Sequence, residues 1–479
     1  MPNLSFKSSF DVDAMQRVFE RQGATALRLR SSDARERITK LRKLRDAVIA
    51  HAEDWYMAAH ADFKKPPGEV DLGEILPVCV EANDAIRHLR KWMKPKRVWP
   101  TKLTVGTRSY VQYMPRGRCL IISPFNYPVN LTLSPLVSAI AAGNTAIIKP
   151  SELTPNLSRV LANVLREVFD EDEVAVFQGD VEVVKALQEL PFDHVFFTGS
   201  PAIGKQVMAG AARHLASVTL ELGGKSPTIV DASANLKLAA INVMWAKFTN
   251  AGQTCIAPDH IYVHTSVKKQ WVEYCQQEIH KAYGDSLIEQ AGSPHLAHIV
   301  NARHTSRLKA LLEDARARGA KVLAGGSVLE NACFVQPTLL NEIPEDAAIM
   351  GEEIFGPLLP IIEYKEMDEV ITSINKGPKP LALYIYSKSQ KNIDKVLTQT
   401  ISGGACVNHS LMQFFQGRLP FGGANNSGIG SAHGHYGFKA FSHERGVVRT
   451  QIPFVATLFK AGEIPLYLRK ILKLSYKII

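Results

Sequence analysis

Between Arg118 and Pro227, short apolar runs alternate with segments whose apolar residues recur at helical spacing. Runs of four or so largely apolar residues are typical of strands covered on both faces, and their alternation with helices predicts a doubly wound parallel sheet. Proline and glycine mark the helix ends, since Pro128 begins one helix that stops at Gly143 and Pro155 begins the next. The predicted strands are Cys119–Ile122, Thr145–Ile148, Val174–Phe177, His194–Phe197 and Val218–Leu220.

A second alternation of the same kind extends from Ser226 to about Gly417 and predicts another α/β domain. Its elements are an apolar helix over Leu236–Phe248 and strands near Ile261, at Leu358–Ile362 and at Leu381–Tyr386. Two extended stretches, Leu103–Met114 and Gly446–Ile452, fall outside both cores. The pattern contains no internal repeat.

The two ends of the chain have basic helical patterns. From Asp33 to about His60, apolar residues recur at helical spacing with basic residues between them, which is typical of a solvated helix face. The tail predicts a basic amphipathic helix that is too short and too charged to span a bilayer. We expect it either to dock reversibly on an anionic membrane surface or to pack against a partner subunit. Its apolar side carries Ile464, Leu468, Ile471, Leu472, Ile478 and Ile479, and its basic side Arg469, Lys470, Lys473 and Lys477.

Composition narrows the class of protein. At 479 residues with 46% hydrophobic residues, the chain is long enough for two or three packed domains. Its six cysteines are irregularly spaced, so neither a disulfide framework nor a metal site is indicated. The net charge of +10 is spread along the chain without interleaved aromatic residues, so nucleic acid is not expected as a partner. Met1–Lys7 lacks the apolar stretch of a secretory signal, so we expect a cytoplasmic protein. Docking of its basic tail on a membrane would place it at the inner face of that membrane.

Four separated segments carry the candidate chemistry: Phe125–Pro128, Glu221–Gly224, Gly252–Cys255 and Glu353–Pro357. Together they resemble the aldehyde dehydrogenase superfamily. The resemblance runs from about Ser31 to about Arg449. Two further segments, Ile256–Asp259 and Leu419–Gly423, resemble the shorter class 3 branch of fatty and aromatic aldehyde dehydrogenases.

This resemblance implies an aldehyde dehydrogenase-like α/β fold with two doubly wound parallel-sheet domains and a small bridging sheet for oligomerisation, and hence a homodimer. The NAD(P)-binding domain would comprise residues 1–94 and 117–222, and the catalytic domain residues 223–422. Residues 95–116 and 423–452 would form the bridging segments, and residues 453–479 the basic tail.

The resemblance also implies roles for three residues in aldehyde oxidation. A planar aldehyde has no hydride to give until a nucleophile adds, and a cysteine thiolate is a strong nucleophile whose product, a thioester, water can cleave. Cys255 would be this nucleophile, and Asn126 with the Cys255 backbone amide would stabilise the oxyanion. Glu221 would activate the hydrolytic water, which favours a carboxylic acid as the product.

The cofactor is expected to be NAD or NADP. His194–Ser200 predicts a strand that leads into a helix N-terminus suited to a pyrophosphate, with Gly199, Ser200 and Gly204 at the close approach. After the strand that ends at Ile148, Glu152 would bind ribose hydroxyls and repel a 2′-phosphate, whereas Lys149 would attract one, so the choice of cofactor stays open. By the resemblance, Glu353 would bind the nicotinamide ribose and Phe355 would pack beside the nicotinamide.

The expected substrate mouth is apolar and lacks a cation for a substrate carboxylate, which suggests medium- or long-chain aliphatic or aromatic aldehydes. Its residues are Tyr127, Trp245, Met412, Phe414 and Phe415. Two alternatives stay open at this point. One is an acylating relative that uses coenzyme A or an acyl phosphate, and the other is a catalytically idle, membrane-associated binding protein of the same fold.

Overall fold

The computed structural model describes residues 11–101, 104–452 and 466–475 of the chain. The helices are, in chain order, α1 (Val12–Leu29), α2 (Ala34–Ala50), α3 (Ala52–Phe63), α4 (Pro67–Val70), α5 (Leu76–Trp92), α6 (Asn130–Ala142), α7 (Pro155–Val168), α8 (Val181–Gln188), α9 (Pro201–Ala212), α10 (Leu236–Phe248), α11 (Lys268–Tyr283), α12 (Leu287–Ala291), α13 (Ala302–Ala317), α14 (Ala348–Gly351), α15 (Met367–Lys376), α16 (Gln390–Gln399), α17 (Met412–Phe415), α18 (Gly434–Ala440) and α19 (Leu466–Ser475). A π-helical turn, Asp71–Ile75, joins α4 to α5, and 3₁₀ turns occur at Thr249–Gly252 and Glu330–Ala332.

The strands form two large sheets, one small sheet and a short hairpin. They are β1 (Lys96–Val98), β2 (Thr107–Pro115), β3 (Arg118–Ile122), β4 (Thr145–Lys149), β5 (Val174–Val176), β6 (His194–Gly199), β7 (Ser217–Leu222), β8 (Pro227–Val230), β9 (His260–His264), β10 (Lys321–Ala324), β11 (Val328–Leu329), β12 (Phe334–Val335), β13 (Thr338–Asn341), β14 (Leu358–Tyr364), β15 (Ala382–Tyr386), β16 (Gly404–Val407), β17 (Gly428–Ile429) and β18 (Ser442–Thr450).

The first large sheet has the strand order β17-β7-β6-β3-β4-β5. All of its pairings are parallel except that of β17 with β7, in which Gly428 pairs antiparallel with Glu221. Alternate residues of the strands enter different cores: Ile121 packs in the cluster that contains α6 and α7, and Leu120 in the cluster that contains α1, α8 and α9. Helices therefore cover both faces, which confirms the predicted doubly wound sheet.

The second large sheet has the order β10-β13-β14-β9-β8-β15-β16, and only its edge strand β10 is antiparallel. Helices α10 and α11 pack on one face and α15 and α16 on the other. The predicted apolar helix has the expected bounds because Asn235 caps its first turn, accepting a hydrogen bond from the Leu238 amide at 3.2 Å. The second α/β unit is thus confirmed as a largely parallel, helix-covered sheet.

The two extended stretches outside the cores lie in an antiparallel three-stranded sheet of order β1-β2-β18. Its longest pairing joins β18 to β2, from Ser442 opposite Pro115 to Thr450 opposite Thr107. Trp99, which follows β1, is 92% exposed. The structure places this sheet apart from the two buried sheets, although Gly428–Ile429, assigned above to the bridging segments, pairs with the first large sheet instead.

The helical patterns at the chain ends are less continuous than the sequence suggests. The stretch from Asp33 to His60 forms two helices, because the chain leaves helical geometry at His51 (φ −95°, ψ 21°). In the tail, α19 covers part of the predicted amphipathic helix, and Ile464, Lys477, Ile478 and Ile479 lie outside the described residues. Across the part of the chain that the structure describes, we find no helix with the length and apolar character needed to cross a bilayer.

Candidate active site

Cys255 lies at the end of a tightly wound segment that follows α10. Asn250, Ala251 and Gly252 have φ angles of 56°, 51° and 73°, a left-handed conformation that non-glycine residues seldom adopt. At Gly252 even a methyl group is excluded, because an added Cβ would lie 2.6 Å from the carbonyl carbon of Gly356. Such strain persists only where surrounding contacts fix the backbone. This turn brings the cysteine to a cavity that it shares with Phe196, Thr198 and Glu221 of the first large sheet.

Hydrogen bonds join the cysteine segment to Asn126. The Asn126 side-chain amide donates to the carbonyl oxygen of Gln253 at 2.9 Å, and the Asn250 amide donates to the carbonyl oxygen of Asn126 at 2.9 Å. The Gln253 side chain then bonds the backbone of Asn250 and Val300. All of these groups are buried. The structure therefore brings Asn126 and Cys255 together, with one Asn126 N–H engaged and a second on the same nitrogen available.

Glu221 is a buried carboxyl group near the carboxyl end of β7. It is 6% exposed, and neither of its oxygens has a hydrogen-bond partner among the residues described. Because burial disfavours the charged form, the pKa of Glu221 is raised well above its usual range. Glu221 and Cys255 line one small cavity of about 40 Å³, together with Phe196, Thr198 and the buried carboxyl group of Glu81. The structure thus places an acid that is neutral at rest beside the thiol.

The thiol itself is also held in its protonated form. Burial raises the pKa of Cys255 above its ordinary value, and the nearby acidic groups of Glu353 and Glu221 raise it further whenever they are ionised. Burial likewise raises the pKa of Glu353 to about 8, with Asp259 adding to the rise. Burial is the main reason that the thiol keeps its proton. A thiolate must therefore be formed when the reacting groups are assembled, since the resting site does not favour it.

A large apolar cavity of about 790 Å³ opens at Cys255. It is lined by Tyr127, Trp245, Phe414 and Phe415, the aromatic residues predicted at the substrate mouth, and also by Tyr283, whereas Met412 is exposed and does not line it. The other apolar lining residues are Pro66, Pro67, Leu72, Leu131, Ile256, Ala282, Pro294 and Leu411. Glu69 and His295 are the ionisable side chains other than Cys255 and the tyrosines on this wall, and no lysine or arginine lines it among the described residues.

The residues assigned to the outer part of the cofactor lie along one edge of the first large sheet. Lys149, at the end of β4, is 3% exposed, and its Nζ is 2.6 Å from Oε2 of Glu152. Ser200 caps α9, and its hydroxyl accepts from the Ile203 amide at 3.4 Å. Gly204 leaves room for β7, because an added Cβ would lie 2.7 Å from Leu222 Cδ2. An added Cβ at Gly199 would lie 2.5 Å from the Phe197 ring.

Glu353 belongs to a second loop, which faces this edge. Its carboxyl group lies against Gly223, where an added Cβ would be 2.6 Å from its Cδ. A cavity of about 340 Å³ is lined by Glu353, Gly224 and Pro201, the first residue of α9, so the structure brings the two loops to one space. Phe355 and the Lys149–Glu152 pair do not line this cavity. Phe355 has φ 48°, and its ring packs 5.8 Å from that of Phe125.

The loop of Glu353 is held by an ion pair that the motifs do not reveal. Lys225 Nζ lies 2.5 Å from Oδ2 of Asp259 and also donates to the carbonyl oxygens of Ile349 and Glu352 at 2.9 and 2.8 Å. The other Asp259 oxygen accepts from the Ile354 amide at 2.9 Å. Lys225 directly follows the Glu221–Gly224 segment and Asp259 ends the Ile256–Asp259 segment, but nothing in the two segments indicates that these residues pair.

Comparisons with known proteins extend across the whole site. The Aldehyde dehydrogenase family matches residues 8–447. The putative aldehyde dehydrogenase AldX of Bacillus subtilis is 46% identical over 438 residues, which are 91% of this chain and 97% of that protein. Aldehyde dehydrogenase family 3 member A2 of Pongo abelii is 41% identical over 416 residues, or 87% of this chain and 84% of that protein. The solved structure of Staphylococcus aureus AldH in a substrate-bound state has a TM-score of 0.90 and 39% identity, and the match covers 97% of this chain and 99% of that one.

Proposed function

The chain belongs to the aldehyde dehydrogenase family, and on that premise we propose that it oxidises apolar aldehydes to carboxylic acids through a thioester on Cys255. It is an oxidoreductase of class 3 type that uses NAD or NADP. The observation that carries the proposed reaction is the small cavity shared by the Cys255 thiol and the unpartnered carboxyl group of Glu221. A nucleophile and a potential base with no other partner are the two groups that thioester formation and hydrolysis need.

The residues present fit a nicotinamide dinucleotide. Gly204 lets α9 pack closely against Leu222 of β7, and α9 presents its N-terminus directly after Gly199 and Ser200, as a pyrophosphate requires. Lys149 and Glu152 would hold the adenosine ribose, Glu353 the nicotinamide ribose, and Phe355 would pack beside the nicotinamide. When bound, the cofactor supplies the acceptor for the hydride.

Cys255 and Asn126 act in the first half of the reaction. The sulfur adds to the carbonyl carbon of the aldehyde as the thiolate, after the thiol proton has passed to water, and the carbonyl oxygen takes the negative charge. The free N–H of the Asn126 amide and the Cys255 backbone amide donate to that oxygen. One such donor typically contributes about 3 to 4 kcal/mol of transition-state stabilisation. Collapse of the oxyanion with loss of hydride leaves the acyl group on sulfur.

Glu221 acts in the second half. Its carboxylate form takes a proton from water, the water oxygen bonds to the acyl carbon, and the carbon–sulfur bond breaks to release the acid. Its buried position keeps the group neutral at rest, so the base becomes active only after it has lost its proton. Gly223 and Gly224 lie two and three residues beyond Glu221, and they give the backbone the freedom that this carboxyl group needs to move.

The substrate class follows from the large cavity. An apolar wall with the rings of three tyrosine or tryptophan residues and two phenylalanines, and with no lysine or arginine among its described residues, suits uncharged medium- or long-chain aliphatic aldehydes and aromatic aldehydes. The acylating alternative would need a second acceptor, coenzyme A or phosphate. Acid formed from aldehyde without either compound distinguishes hydrolysis from acyl transfer.

Two cysteine variants and a carboxyl variant test the proposal. Cys255→Ala should abolish cofactor reduction while cofactor binding persists, whereas Cys333→Ala, a change of a partly exposed cysteine outside the site, should retain the parent rate. Glu221→Gln should give a rapid burst of reduced cofactor followed by slow turnover, because thioester formation survives and hydrolysis does not. Oxidation at the parent rate by Cys255→Ala, or no burst with Glu221→Gln, would contradict the assignments.

The remaining expectations concern assembly. We propose a homodimer that is joined through the β1-β2-β18 sheet and a basic tail that docks on an anionic membrane. We also propose the domain limits given above, except that Gly428–Ile429 belongs to the first large sheet. Deleting the residues after Ile464 should reduce co-sedimentation with anionic liposomes. Unchanged co-sedimentation with a changed oligomeric state would assign the tail to the partner subunit instead.

A further inference from the structure

Lys65 and Glu74 form an ion pair that is wholly removed from solvent. Both side chains are 0% exposed, and Nζ of Lys65 lies 2.7 Å from Oε1 of Glu74. The loss of hydration makes such a pair a weak source of stability, and an apolar pair of similar volume is often as stable. A fully buried charge pair close to reacting groups therefore invites a functional explanation.

The pair contacts the Asn126 loop, residues 126–130, at both of its ends. Oε2 of Glu74 accepts from the backbone amides of Val129 and Asn130, at 3.1 and 3.0 Å, where α6 begins. A carboxylate at a helix N-terminus is favoured by the helix dipole. Nζ of Lys65 donates to the carbonyl oxygen of Asn126 at 3.3 Å and lies 3.9 Å from the centre of the Tyr127 ring. One ion pair thus fixes the backbone on either side of the Pro128 turn.

Glu74 reaches this loop from an unusual element. It belongs to the π-helical turn Asp71–Ile75, a form that is rare and often occurs at functional sites. The preceding residue, Gly73, packs directly on Tyr127, since an added Cβ would lie 2.7 Å from the ring. Its carbonyl oxygen accepts from the Asn130 side chain at 2.9 Å. The π turn therefore packs against the loop over several residues.

We propose that Lys65 and Glu74 are positioning residues, which set the Asn126 side-chain amide at the distance from Cys255 that oxyanion stabilisation requires. Asn126 has little other support, because its remaining contacts run to the cysteine segment itself. The ion pair is thus the anchor that connects this amide to the body of the first large domain. The inference rests on the proposed function, because it needs an oxyanion at Cys255.

The test is a double-mutant cycle with the burst of reduced cofactor as its readout. Lys65→Met and Glu74→Gln are each made in the parent and in Asn126→Ala. In the parent, each should slow the burst by about tenfold or more and change the KM for aldehyde by less than about threefold. In Asn126→Ala, the same substitutions should slow it by less than about twofold, because the amide through which they act is gone.

Arg37→Met is the matched control. Arg37 is also a buried cation, and it donates to the carbonyl oxygen of Ala141 at 3.0 Å, at the opposite end of α6. Its loss should lower thermal stability while the burst stays within about twofold of the parent. Glu74→Gln keeps a neutral and therefore weaker acceptor for the α6 amides, so it is the second variant if Lys65→Met does not fold.

Hydrogen exchange over residues 126–130 supplies a readout that does not need turnover. Glu74→Gln should expose these amides to faster exchange, and Arg37→Met should not. Equal slowing of the burst in the parent and in Asn126→Ala would overturn the inference, as would an unchanged burst with Lys65→Met. If the parent forms no reduced cofactor with any apolar aldehyde, the proposed function is wrong, and the positioning role is wrong with it. Hydrogen exchange would then still show separately whether the Lys65–Glu74 pair holds residues 126–130.

Discussion

Replacing Glu221 by glutamine should stabilise the folded protein, by an amount that grows as the pH rises. The carboxyl group is buried without a partner among the described residues, so burial raises its pKa well above the usual range. The folded protein then keeps a proton that the unfolded chain releases above a pH of about 4.3. A group whose folded pKa is raised contributes fully to stability at low pH, and that contribution is lost as the pH rises towards the folded pKa.

The magnitude follows from proton linkage. Across each pH unit in which only the unfolded chain has released the proton, the unfolding free energy of the parent falls by about 1.4 kcal/mol relative to a variant with a neutral side chain. Over an interval of about 1.5 pH units that lies between the unfolded pKa and the raised folded pKa, the advantage of Glu221→Gln should therefore grow by about 2 kcal/mol. This growth does not depend on any constant difference in packing between the two side chains.

Urea unfolding of the cofactor-free protein at a series of pH values measures this difference. Glu273→Gln is the matched control, because Glu273 is exposed on α11, and its curve should run parallel to that of the parent. Parallel curves for the parent and Glu221→Gln would refute the reasoning. That result would mean that the folded carboxyl group is already ionised at rest and that burial does not govern its charge.

Three further substitutions test other parts of the site. Gly252→Ala should lower the free energy of unfolding by about 2 kcal/mol or more, because the φ angle of Gly252 is 73° and the new methyl group would meet Gly356. A melting temperature equal to that of the parent would contradict this. Glu152→Gln removes the partner of Lys149 and should raise the ratio of kcat/KM for NADP to that for NAD by roughly tenfold, whereas an unchanged ratio would remove both residues from cofactor selection. Phe414→Ala should reduce kcat/KM for long-chain aldehydes by about tenfold and leave the KM for cofactor unchanged, and equal losses with short and long aldehydes would place this ring outside the substrate path.

The sequence predicts the two large sheets well because their burial leaves a local signature. The central strands of the first sheet are covered on both faces, so their residues are apolar in succession, as in Cys119–Ile122. Proline marks the start of α7 and α9, and glycine the end of α6. Tertiary contacts shift some of the predicted bounds. Helix α6 begins at Asn130 and not at Pro128, since the Glu74 carboxylate accepts the amides of Val129 and Asn130 there.

The charged residues that support the site leave no such signature. In the sequence, Lys65 and Glu74 look like ordinary solvated residues, and nothing in their spacing reveals a π turn or a buried pair. Lys225 and Asp259 are separated by a strand and a helix, and only the fold brings them within 2.5 Å. Long-range pairing of charges is a tertiary property, so a single sequence indicates the reacting groups and not the network behind them.

Strand β17 is translated after every other strand of the first large sheet, and its pairing with β7 therefore forms last during synthesis. The ribosome synthesises Glu221, Cys255 and Glu353 well before it reaches Gly428. The backbone of Gly428 completes the sheet edge beside Glu221. Most of the first sheet can therefore form around an unfinished reaction centre. We expect chains that stall before this residue to fold in large part and to remain inactive. An incomplete chain would then not react with aldehydes while it is still attached to the ribosome.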